Sequence, residues 1–121
     1  MSAILTVDDS ASIRQAIKIA LSAEGFTVAE ATNGAEGLRK ASQTRFSLVI
    51  TDLNMPVMDG LTMIRELRKV PGLTGLPILF LSTESDAGVK QQAKDAGATG
   101  WVTKPFQPDQ LVRVVKKVLA R

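Results

Sequence analysis

The sequence contains no cysteine and no histidine. Without cysteine there is no disulfide, no thiolate nucleophile and no cysteine metal site. Without histidine there is no Ser-His-Asp triad, no imidazole base and no histidine able to carry a phosphoryl group. Tyrosine is also missing, tryptophan occurs once, and aromatic residues total 4%, too few for a stacking platform on single-stranded nucleic acid. The net charge is only +3, and the longest basic clusters are pairs such as Arg68-Lys69 and Lys116-Lys117. A solvated surface is therefore expected, with no nucleic-acid partner. No apolar run approaches the roughly 18 residues of a membrane span, and nothing resembling a signal peptide precedes the first apolar run. A cytoplasmic location without membrane insertion is expected. The chemistry left to this chain must use carboxylates, hydroxyls, lysine, arginine or a bound ion.

What is present is a globular composition, with 45% hydrophobic and 22% charged residues in 121. That length fits one domain, 1–121, with no separate output domain, so any output is expected to need another molecule. Two kinds of periodicity alternate. Ala3–Val7 is a short apolar run, and Ile13, Ala16, Ile17, Ala20 and Leu21 then recur at helical spacing before Gly25. Phe26–Ala31 predicts a more polar strand, and Ala35, Leu38 and Ala41 a weak helix. Ser47–Thr51 predicts a buried strand, followed by a helix that Asp59 can cap. Pro77–Ser82 predicts a fourth strand, Ala87–Ala96 a helix of low hydrophobicity, and Gly100–Thr103 a short strand. Leu111, Val114, Val115, Val118 and Leu119 mark a C-terminal amphipathic helix.

Five strand–helix units imply an α/β fold with a parallel sheet covered on both faces. The first, third and fourth strands are the most continuously apolar and belong in the centre. The second and fifth belong at the edges. The order 2-1-3-4-5 satisfies this with right-handed crossovers and five helices, a flavodoxin-like doubly wound sheet. Ligands of such sheets bind beyond the carboxyl ends of the strands, at the switch between the first and third.

Polar residues gather at that edge. Asp8 and Asp9 follow the first strand, Asp52 ends the third, Ser82 ends the fourth and Lys104 follows the fifth. Each alone has a local explanation: an Asp-Asp pair can serve a helix cap, and a Lys-Pro step can be a turn. Their conjunction at four strand ends points to a joint site. Three close carboxylates repel, raising the pKa of at least one, and a hard cation such as Mg²⁺ relieves that repulsion. Lysine adds a point charge and serine a hydroxyl donor. Together they form an anion-receiving site around a carboxylate nucleophile, suited to an aspartyl phosphate.

The segments Val7-Asp8-Asp9-Ser10, Asp52-Leu53-Asn54-Met55-Pro56-Val57-Met58-Asp59-Gly60, Ser82-Thr83-Glu84 and Lys104-Pro105-Phe106 resemble the motifs of the two-component response-regulator receiver domain. The resemblance spans the chain, as in single-domain regulators of the CheY type. It implies that Asp52 accepts a phosphoryl group from a histidine kinase or phosphotransfer protein. It implies Mg²⁺ ligation by Asp9, Asp52 and the Asn54 backbone carbonyl, with Asp8 assisting through water. Ser82 and Lys104 would contact the phosphoryl group, and Lys104-Pro105 would be cis. Ser82 and Trp101 would hold the switch positions, the indole being larger than the usual Tyr or Phe. Asn54 and Glu84 would tune phosphoryl lifetime. The chain would be a monomeric regulator with no activity beyond its own phosphotransfer and autodephosphorylation. Its downstream target would be a protein, the flagellar motor switch being one case. The face of the fourth helix, fifth strand and fifth helix is expected to carry the output.

Two other readings fit less well. A Mg²⁺-dependent phosphatase of the haloacid dehalogenase type needs a second aspartate where this chain has Asn54. A flavin-binding domain needs a phosphate loop after the first strand, where Asp8-Asp9-Ser10 puts negative charge.

Overall fold

The computed structural model describes residues 3–82 and 87–120. Five strands and five helices alternate: β1 (Ala3–Val7), α1 (Ala11–Ser22), β2 (Thr27–Ala31), α2 (Gly34–Gln43), β3 (Leu48–Asp52), α3 (Gly60–Lys69), β4 (Ile78–Ser82), α4 (Ala87–Ala96), β5 (Gly100–Thr103) and α5 (Pro108–Leu119). All pairings are parallel, and the order is β2-β1-β3-β4-β5, as the apolar continuity of the strands predicts. β4 is buried at every position, and β1 and β3 at all but one. The edge strands β2 and β5 each bury a single residue.

Alternate residues of the central strands feed two cores. Ile4, Ile50, Leu79, Leu81 and Val102 pack against Ile17 and Leu21 of α1 and Leu111 and Val115 of α5. Leu5, Val7, Val49 and Ile78 pack on the opposite face against Met63, Ile64 and Leu67 of α3. α4 is held by less. Ala93 is buried beside Leu53 and Phe80, and Arg68 donates two hydrogen bonds to the Gly97 carbonyl at the helix's end. The low hydrophobicity of Ala87–Ala96 thus translates into a lightly anchored helix.

Four strand limits differ from the sequence reading: β3 starts at Leu48 and β4 at Ile78, each one residue later than expected, and the start of β2 and the end of β3 also move. β2 begins at Thr27, because the Phe26 N–H is taken by the Leu21 carbonyl as α1 ends through Gly25 at φ 89°. A left-handed residue at that place closes the helix and delays the strand. β3 runs on to Asp52, which pairs with Leu81. The acidic residue therefore stands on the sheet itself and not on a loose loop.

Thr6 breaks the apolar run of β1. It is fully buried, and its hydroxyl has no hydrogen-bond partner among the described residues. A buried hydroxyl without a partner forfeits its hydration for nothing in return. Thr6→Val is therefore expected to stabilise the fold by about 1 kcal/mol. A urea midpoint that rises at unchanged m-value is the expected observation.

Candidate functional site

The carboxyl ends of β1, β3, β4 and β5 bring Asp8, Asp9, Asp52, Ser82 and Lys104 to one edge of the sheet. Asp8 continues β1: its N–H donates to the Ala31 carbonyl at 3.1 Å. Its Oδ1 accepts the Ser10 N–H at 2.9 Å. Ser10, not either aspartate, caps α1, accepting the Ile13 N–H at 3.3 Å. Helix capping therefore leaves both carboxylates for the site. Asp9 is exposed, Asp8 is buried and Asp52 lies between, and carboxylate oxygens of all three lie within 4.8 Å of one another.

Lys104 closes the cluster from the β5 side. Its Nζ lies 3.3 Å from Asp52 Oδ1 and 3.4 Å from Asp8 Oδ2, with only 16% of the side chain exposed. The Lys104 N–H donates to the Ser82 carbonyl at 2.7 Å, tying β5 to the end of β4. Lys104-Pro105 is cis. Beside these groups a cleft of about 310 Å³ opens toward α4, lined by Asp52, Asn54, Ser82 and Lys104 and, from α4, Val89 and Gln92. Asn54 is exposed at its rim. Glu84 lies outside the described residues.

Trp101 stands apart from the acidic cluster, on β5. The residue is 45% exposed; its ring lies 6.2 Å from the Phe80 ring, and the Lys90 ammonium sits 4.3 Å above it. An ammonium over an indole face is a favourable pair. It joins α4 to β5 in a way no motif announces. Arg14, which donates to the Asp8 carbonyl, is a second such neighbour.

The Asp8 carboxyl is raised above the ordinary aspartate range, first by burial; the Ser10 N–H and Lys104 oppose this, and Asp52 adds to it more weakly. The expected repulsion between carboxylates is present through Asp52, and burial contributes more. The sign for stability follows. The folded chain holds the Asp8 proton more tightly than the unfolded chain, so ionised Asp8 opposes folding. Asp8→Asn is expected to raise the melting temperature at pH 7 in EDTA. That gain is full above the folded pKa and vanishes below the ordinary value of 3.8. Melts across pH 3–8 check it.

Three carboxylates facing one ammonium leave an excess of negative charge on hard oxygen donors. That donor set fits a hard divalent cation and would not suit a soft metal. A doubly wound sheet with this cluster at its β1/β3 switch, and a lysine opposite, defines the CheY-like class of flavodoxin-fold proteins.

Residues 4–116 match the response regulator receiver domain, and the chain belongs to that family. It is 36% identical over 118 residues, 98% of its length, to the transcriptional regulatory protein PrrA of Mycobacterium tuberculosis, of which it covers 50%. The chain spans about half the length of the curated relatives it matches. Among solved structures, chemotaxis protein CheY4 of Vibrio cholerae superposes with a TM-score of 0.94 at 42% identity, covering 98% of both chains. The receiver domain of a sensor histidine kinase from Pseudomonas aeruginosa, described with magnesium coordinated in its active-site cleft, gives 0.92 at 26% identity, covering 99% and 98%. Receiver domains act with histidine kinases and downstream targets. Because relatives such as PrrA are transcriptional regulators, the expected exclusion of nucleic acid loses its support. No helix among the described residues is long and apolar enough to cross a membrane.

Proposed function

We propose that this chain is a phosphorylation-controlled switch in which Asp52 takes a phosphoryl group from a phosphohistidine on a kinase or phosphotransfer protein. The observation that carries the reading is the Asp52 carboxylate at the end of β3, 3.3 Å from the Lys104 ammonium and clustered with Asp8 and Asp9. An Asp52 oxygen attacks phosphorus and forms the new O–P bond. The P–N bond breaks, and its electron pair returns to the donor imidazole, which leaves neutral when its other nitrogen is protonated. Lys104 turns from the carboxylates to the phosphoryl oxygens, and the Ser82 hydroxyl donates to them. Asp8, Asp9, Asp52 and the Asn54 carbonyl would hold Mg²⁺, which supplies the positive charge that lets a dianion approach three carboxylates.

Drawing Ser82 and Lys104 toward the phosphoryl group pulls on the ends of β4 and β5, beside α4. The light anchoring of α4 supports the α4, β5 and α5 face as the output surface, with Ser82 and Trp101 as switch positions. Asn54, at the cleft rim, would tune phosphoryl lifetime together with Glu84. The similarity to CheY4 along 98% of that chain supports a chemotaxis role for a cytoplasmic monomer, with the flagellar motor switch as one target. The identity to PrrA-type regulators favours a second reading, the receiver half of a transcriptional regulator. Both readings share the same chemistry. With acetyl phosphate and Mg²⁺ the protein should gain one phosphoryl group, mapped to Asp52 by mass spectrometry, and should gain none in EDTA. Equal labelling in EDTA, or a label on another residue, overturns the proposal.

A further inference from the structure

The Asp8-Asp9 turn is held from outside the acidic cluster. Arg14, on the first turn of α1, has only 14% of its side chain exposed. Its Nη1 donates to the Asp8 backbone carbonyl at 2.6 Å. Its Nε pairs with Glu30 Oε1 at 3.0 Å. Glu30 is itself fixed: it stands on β2 opposite Thr6, its second carboxylate oxygen lies 3.8 Å from Lys18 Nζ, and its carbonyl accepts from Lys40. A chain of contacts therefore runs from the edge strand, through one guanidinium, to the peptide that joins Asp8 to Asp9.

That peptide is planar. Fixing the Asp8 carbonyl fixes the plane, and with it the position of the Asp9 Cα. The Asp8 side chain has its own tether in the Ser10 N–H, and its backbone N–H is in the sheet. Asp9 is exposed, so its carboxylate takes its direction from the peptide plane that precedes it. A guanidinium can serve two acceptors at once from a rigid fork, which a lysine cannot reproduce.

We infer that Arg14, locked by Glu30, is a positioning residue for the divalent-cation site: it orients the Asp8-Asp9 peptide so that Asp9 can converge with Asp8 and Asp52. The inference rests on the reading of that cluster as a Mg²⁺ site. It makes a prediction of unexpected sign. Arg14 is a cation beside a cation site, so Coulomb repulsion alone says that removing it tightens Mg²⁺ binding. Positioning says that removing it weakens binding, because partners of ligating groups typically contribute about 10–100-fold in metal affinity.

The test is calorimetric titration of the full chain with MgCl₂, alongside melting curves in EDTA. Arg14→Gln should bind Mg²⁺ about 10-fold more weakly than the parent. Arg14→Lys should also weaken binding although it keeps the charge, since it loses the fork. Glu30→Gln should weaken it by a smaller factor while leaving Arg14 in place. Equal or tighter binding by Arg14→Gln, with a melt in EDTA like that of the parent, overturns the inference. So does unchanged affinity in Arg14→Lys. Where Arg14→Gln fails to fold, Glu30→Gln decides: unchanged affinity there overturns the inference. A parent protein that binds no Mg²⁺ overturns the reading of the cluster itself, and the inference with it.

Discussion

Asp52→Asn is expected to abolish phosphorylation by acetyl phosphate and by a phosphohistidine donor. An amide nitrogen has its lone pair delocalised into the carbonyl, and the amide oxygen carries no full charge, so the attacking group is gone. Neighbouring carboxylates do not replace it: Asp8 is buried and accepts the Ser10 N–H, and Asp9, though exposed and within the cluster, is carried by the turn after β1 and not by the end of β3. The variant should nevertheless fold, because Asn keeps the shape at the end of β3 and relieves part of the charge excess on the cluster. Lys104 retains Asp8 as a partner at 3.4 Å. The combination expected is an unchanged or raised melting temperature with no detectable label. Labelling of Asp52→Asn at the parent's rate would remove Asp52 from the role assigned to it.

Gly60→Ala is expected to cost far more stability than any charge substitution at the site. An added Cβ at Gly60 would lie 2.2 Å from the Asp52 carbonyl oxygen and 3.0 Å from the Leu53 Cα. Both are backbone atoms, and the Gly60 N–H is already bonded to the Leu53 carbonyl at 2.9 Å. Neither side can yield without moving the end of β3. The expected loss is about 2–3 kcal/mol, the upper part of the usual cost of overpacking, because neither contact can yield. Because the displaced backbone is that of Asp52, phosphorylation should fall together with stability. Gly25→Ala is the comparison: its Cβ would meet nothing within 4 Å, and only the φ of 89° opposes it, a cost of about 1 kcal/mol. Chemical denaturation of the two variants separates crowding from backbone conformation. Equal midpoints would exclude the close approach at Gly60 as the cause.

The sheet order was legible because burial of a parallel strand leaves a direct mark in its residues. Leu48, Val49 and Ile50 have no polar alternation and cannot sit at an edge, whereas Glu30 in β2 can. The meeting of Asp8, Asp52 and Lys104 followed from that order, since strand ends share one edge once the topology is known. What the residues did not disclose depends on backbone groups and depth. The Phe26 amide is consumed by the end of α1, a hydrogen bond between two main-chain atoms. The Asp8 carbonyl that anchors Arg14 is present in every residue and so leaves no trace in residue type. Burial, not the neighbouring carboxylates, leads the perturbation of Asp8, and depth beneath a surface is fixed only when all layers are in place.

The tie between Lys104 and Asp8 joins residues 96 positions apart. Between them, the cluster draws on β1, β3, β4 and β5, so it does not exist until those four strands have paired. Binding at this edge is therefore thermodynamically linked to the pairing of those four strands. Any cation or anion that recognises the assembled cluster, and not the open chain, adds RT ln(1 + [L]/Kd) to the stability, about 2.7 kcal/mol at a hundred times Kd. A destabilised variant with intact site residues would then appear weak in ligand affinity simply because fewer molecules are folded. Saturating ligand would restore it. The denaturation midpoint of this protein is thus a function of what its solution contains.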